Sequence, residues 1–108
     1  MAGRNGAFEV KRPTFLRIVG KRVRVDYQPG FSDYGETDFE AQKIVIRDGQ
    51  PLANEQDTLL HEAIHYLEDS AGLGLPEKHV RVLATMLIGL LKDNPSFARY
   101  LLQREKEA

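Results

Sequence analysis

The sequence predicts an α+β fold: a small antiparallel sheet of two to three strands packed on two long helices, with a short helix at the C-terminus. Three observations predict it. Apolar and polar residues alternate through KRVRVDY, residues 21–27, which is the period of a half-buried strand. Beyond Pro51 the period becomes helical, with Leu59, Leu60, Ala63, Ile64, Leu67 and Ala71 recurring at three- and four-residue spacing. All strand signals precede all helix signals, an order that segregates sheet and helices instead of alternating them. The 108 residues suffice for one hydrophobic core and are too few for two.

Residues 1–13 hold two glycines, mixed charges and a closing Pro13, and predict a flexible N-terminal arm ahead of a single domain over 14–108. Phe15 to Val19 forms a short first strand. In the next strand Val23, Val25 and Tyr27 share the inner face, and Arg22, Arg24 and Asp26 the outer one. QPGFSDYGETD is read as a loop, punctuated by Pro29, Gly30 and Gly35. QKIVIRDG gives another strand, with Ile44 and Ile46 inward and Asp48-Gly49 turning the chain. Asn54 is the expected N-cap of the first helix, with Glu55 and Asp57 complementing its dipole, and Gly72 and Gly74 end it. Pro76 opens a second helix, and Asn94-Pro95 separates it from a third, SFARYLLQRE. The two long helices are expected to pack through Ile64, Leu67, Leu83 and Leu87.

Composition narrows the function. The first 24 residues carry seven cations against Glu9, but the net charge is −1. A near-neutral chain with no recognition motif argues against a nucleic-acid partner, and the basic residues read as a solvated strand face. There is no cysteine. Disulfides and thiolate metal sites are excluded, which leaves imidazole and carboxylate as the strong ligands. No apolar run reaches the length of a membrane span and the N-terminus lacks a secretory apolar core, so a cytoplasmic location is expected.

Against that background one stretch stands out. LLHEAIHYLEDSAG places two of the chain's three histidines, His61 and His65, four residues apart with Glu62 directly after the first. On a helix, side chains at i and i+4 are neighbours, so both rings can reach one ion. Glu62 lies ~100° around the helix, out of the ligand position and close to a water on that ion. Two imidazoles to hold Zn2+ and a carboxylate to act as general base on a zinc-activated water are what hydrolysis requires.

A catalytic zinc takes three protein ligands and keeps one position open. His79 is the expected third ligand, because it lies on the stripe of Leu83, Met86 and Leu90, read as the side facing the first helix. Glu77, nearer the polar edge, and Glu68, one turn past His65, are the rivals. Glu68 is disfavoured because three ligands from one straight helix surround a tetrahedral ion poorly. The expected site is therefore one Zn2+ per chain on His61, His65 and His79, with Glu62 catalytic.

TLLHEAIHYLEDSAGL followed by LPEKHVRVLATMLIGLLKDNP resembles the small phage and prophage zinc-peptidase-like proteins related to the ImmA/IrrE metallopeptidase family, and more distantly the SprT-like proteases. YGETDFEAQKIVIRDG resembles the strand that precedes the motif helix in such proteins. The resemblance spans roughly residues 22 to 95 and implies a minimal zincin, with His61 and His65 as ligands and Glu62 as base. In the ImmA/IrrE pattern the next helix supplies a glutamate ligand. Matching VRVLA to that pattern puts His79 at that position, a departure resembling the all-histidine SprT-like arrangement. The implied activity is hydrolysis of a protein or peptide substrate such as a phage regulator. An edge strand, Gln42 to Arg47, would bind the substrate by strand addition, and Tyr34, Tyr66 and Arg81 are candidates by type for stabilising the oxyanion. The alternative is a non-catalytic zinc protein with a structural or partner-binding role in a phage or prophage.

Overall fold

The computed structural model describes residues 10–106. It is α+β: strands β1 (Phe15–Ile18), β2 (Lys21–Gln28), β3 (Gly35–Asp38) and β4 (Lys43–Arg47), then helices α1 (Leu52–Ala71), α2 (Glu77–Asp93) and α3 (Pro95–Leu102). The four strands form one sheet in the order β1-β2-β4-β3. β1 and β2 are an antiparallel hairpin, and β3 pairs antiparallel with β4, but β2 and β4 run parallel. The sheet is therefore mixed and one strand larger than expected. The added strand, β3, lies inside the segment read as loop. Its four residues, GETD, hold no large apolar side chain and so show no readable alternation.

Local chemistry accounts for the turns. Val19 and Gly20 join β1 to β2 with φ of 49° and 79°, the doubly left-handed backbone of a type I′ hairpin. Glycine meets that need at its position, and Val19, exposed and β-branched, is strained at the other.

α1 lies between two partners. One face covers the sheet, where Val23, Ile44 and Ile46 have no exposed surface and Tyr66, 2 % exposed, completes the cluster with Leu59 and Ala63 packed beside it. Burying each such aliphatic side chain contributes about 1.5–3 kcal/mol. The other face meets α2 through Ile64, Val80 and Ala84, with Leu60, Leu75 and Leu87 around them. Thr85 donates to Asp57 at 2.9 Å and fastens the same pair of helices. Of the four residues expected at this contact, Ile64 and Leu87 take part, whereas Leu67 and Leu83 are 46 % and 42 % exposed.

Helix α1 starts at Leu52, three residues before the start expected after an Asn54 cap: Pro51 stands at its N-cap, and Asn54 lies within it. It ends as expected at Gly72, whose left-handed φ of 68° allows Gly72 N–H to donate to Asp69 O and Leu73 N–H to Glu68 O. Residues 1–9 of the expected arm lie outside the described residues. Its last part is anchored: Arg12 stacks 3.9 Å from the Tyr27 ring centroid and donates to Asp48 and Glu55, and Tyr27 donates to Pro13 O. Among the described residues no helix is long and apolar enough to cross a membrane.

Candidate metal centre

Helical geometry sets the positions around α1. At ~100° per residue, the side chains facing neither the sheet nor α2 include His61, His65 and Thr58, with Glu62 at the sheet-side margin. This open side is the floor of a cleft of about 730 Å³. Residues of and around β3 form one wall, and Glu77 and Arg81 from the start of α2 form the other.

His61 Nε2 and His65 Nε2 are 3.1 Å apart. The third group that meets them is Glu77. Its Oε2 lies 2.9 Å from His61 Nε2 and its Oε1 lies 2.7 Å from His65 Nε2. Among the described residues, His61, His65 and Glu77 form a cluster able to hold a metal ion, with ligand atoms within 4.8 Å of one another. The set fits zinc by its chemistry and its spacing. Imidazole nitrogen and carboxylate oxygen are both zinc ligands, and ligands of a tetrahedral zinc stand roughly 3.3 Å apart, as its bond lengths of ~2.0–2.1 Å require. The histidine and glutamate atoms converge on one point from two helices, so an ion there would have an open side toward the cleft.

The expected third ligand, His79, is elsewhere. It is exposed and is not part of the cluster. The reason is the face by which α2 docks. Val80 and Ala84 are fully buried against α1. Glu77 precedes them by three and seven residues and shares their side, whereas His79 lies ~200° around the helix from Glu77. The stripe of Leu83, Met86 and Leu90 that placed His79 inward is the exposed one. α2 is apolar on two sides, so its apolar pattern alone did not tell which side meets α1. Glu77 is in line with Val80, Ala84 and Leu87 on one of those sides, and no local signal in the sequence chooses that side over the other.

Glu68 has a different task from ligation. Its Oε2 accepts a hydrogen bond from Leu75 N–H at 3.1 Å. That contact fixes the interhelical loop from the α1 side and so helps deliver Glu77, two residues later, to the histidines.

Glu62 is 8 % exposed and lines the cleft. Thr37 Oγ1 donates to its Oε1 at 2.7 Å. Its Oε2 has no partner among the described residues. No buried side-chain oxygen or nitrogen among those residues is left unpaired, so Oε2 is not sealed from solvent in a residue that lines the cleft. β3 can approach this closely because Gly35 has no side chain: a Cβ there would stand 2.6 Å from Thr58 Cγ2 and 3.2 Å from Glu62 Cγ.

β4, expected as the edge strand, is interior, flanked by β2 and β3. The edge next to the cleft is β3. Tyr34 and Arg81 line the cleft, whereas Tyr66 is buried against the sheet with its ring 5.3 Å from that of Phe39. Arg81 makes no hydrogen bond or ion pair among the described residues. Compared with protein-family models, curated proteins and solved structures, the chain matches none.

Proposed function

We propose that the chain is a zinc-dependent peptidase that holds one Zn2+ with His61, His65 and Glu77 and uses Glu62 as general base on a protein or peptide substrate. The observation that carries this reading is the convergence of three ligating atoms in a cleft also lined by a buried carboxylate, fixed on one oxygen and without a partner among the described residues on the other. A zinc ion held by these residues would supply Lewis acidity for attack of water on the scissile carbonyl. Glu62 Oε2 accepts the proton from that water and returns it to the leaving amine. A purely structural ion has no use for such a carboxylate.

The free edge of β3 suits an extended peptide. Arg47 N–H donates to Tyr34 O, which makes Tyr34 and Arg47 a hydrogen-bonded pair. Antiparallel pairs alternate between bonded and non-bonded, and the register pairs Gly35 with Ile46 and Thr37 with Ile44. Gly35 and Thr37 therefore direct their main-chain N–H and C=O groups away from β4, where a substrate strand can pair with them. Arg81, on the opposite wall and without a partner among the described residues, is available to meet negative charge that develops on the substrate oxygen. The setting, a bacterial cytoplasm carrying a phage or prophage, rests on the resemblance of the motif helices to ImmA/IrrE-like proteins and on the absence of cysteine.

The test is Glu62→Gln. The substitution is nearly isosteric but cannot take a proton at neutral pH. It should leave the fold and zinc binding intact and lower turnover at least ~10²-fold. Cleavage is sought in a peptide library and in candidate host and prophage proteins, with and without a chelator. Zinc binding without any chelator-sensitive cleavage by the wild type would favour a non-catalytic zinc protein.

A further inference from the structure

The strand that forms the open edge of the cleft also carries the residue that holds Glu62. Thr37 lies in β3 with its side chain toward α1, where its hydroxyl donates to Glu62 Oε1 at 2.7 Å and stands 3.3 Å from Glu62 O. Its main-chain N–H and C=O, by the register above, face the free edge. Two residues earlier, the missing side chain of Gly35 leaves room for the stem of Glu62: a Cβ there would stand 3.2 Å from Glu62 Cγ. The carboxylate is thus held at one oxygen by a residue whose main-chain groups are free to pair with an incoming peptide.

We propose that Thr37 is the positioning residue for Glu62, and that a peptide paired to β3 is thereby registered against the general base. A hydroxyl bound to Oε1 removes rotation of the carboxylate and leaves Oε2 as the only oxygen free to face the reacting water. Because hydroxyl and edge groups belong to the same residue, the distance from bound substrate to base is set within β3 and not across a flexible contact. Val would fill nearly the same volume in a strand but offers no donor, and Ser offers the donor without the methyl group. The second half of the proposal rests on the peptidase reading given above; the first half, the hold on Glu62, does not.

The test compares wild type, Thr37→Val and Thr37→Ser. Each is measured for zinc affinity by calorimetry, for kcat and KM on a peptide that the wild type cleaves, and for the carboxyl ¹³C resonance of Glu62. Thr37→Val should bind zinc like the wild type, lose about tenfold or more in kcat, as loss of a hydrogen bond to an ionised group implies, and change KM less than about threefold. The Glu62 resonance should move in the Val variant and stay in place in Thr37→Ser, which should also recover most of kcat. A Val variant with wild-type kcat and an unmoved Glu62 resonance overturns the proposal, as does a Ser variant as impaired as Val. If no peptide is cleaved by the wild type, the peptidase reading falls, and the resonance alone decides whether Thr37 positions Glu62.

Discussion

Glu77 bridges the two histidines of the preceding helix, with Oε2 2.9 Å from His61 Nε2 and Oε1 2.7 Å from His65 Nε2. One carboxylate placed against two imidazole nitrogens is an arrangement that an ion between them would organise. Of the α2 residues, it is Glu77 and not His79 that lies against the two histidines, and the proposed site takes Glu77 as its third ligand. Glu77→Ala should lower zinc affinity at least ~10-fold, the smaller end of what even an indirect partner of a zinc ligand contributes, while His79→Ala should leave it unchanged. Calorimetric titration of the three proteins with zinc decides between them. Loss of binding in His79→Ala with retention in Glu77→Ala would reinstate the histidine.

The close passage of β3 over α1 predicts the effect of Gly35→Ala. The added methyl would stand 2.6 Å from Thr58 Cγ2, a contact that must be relieved by moving the strand or the helix. Overpacking of this kind costs about 1–3 kcal/mol. Urea denaturation should show that loss. Thr58→Ser combined with Gly35→Ala should recover part of it, because Ser lacks the methyl group in the way. Equal stability of Gly35→Ala and wild type would mean that β3 does not pack this tightly.

The anchor of the N-terminal segment predicts a pH dependence. The hydrogen bond from the Arg12 guanidinium, with its charge, holds the Asp48 carboxyl below the ordinary range, and the same pairing raises Arg12. A depressed carboxyl contributes stability that is present above its unfolded-state pKa of about 4 and is lost as pH falls through the folded-state value. The wild type should therefore exceed Arg12→Ala in urea midpoint at neutral pH, and the gap should narrow as the pH falls below about 4. A gap that does not change over that range would separate Asp48 from the stability of the anchor.

Much of this was legible in the sequence where periodicity was unambiguous. β2 alternates cleanly because one of its faces is buried and the other carries Arg22, Arg24 and Asp26. α1 announces itself through a long apolar repeat, and His61, Glu62 and His65 follow from its pitch. Legibility failed where a residue's surroundings depend on tertiary packing. β3 has too few apolar residues to signal a strand, yet it supplies the edge of the cleft and the hydroxyl on Glu62. The parallel pairing of β2 with β4 depends on β3 taking the outside position, which no local pattern encodes. His79 was misplaced because α2 is apolar on two sides, and only the contact through Val80 and Ala84 reveals which of them is inside.

The central claim is that His61, His65 and Glu77 hold one zinc ion beside Glu62. Anomalous diffraction at the zinc absorption edge, from crystals of the protein grown with equimolar zinc, tests it most directly. The account predicts one peak per chain, within bonding distance of Nε2 of both histidines and of a Glu77 carboxylate oxygen, with the open side of the ion toward the cleft and Glu62. A peak coordinated by His79 in place of Glu77, or no peak between His61 and His65, would contradict it.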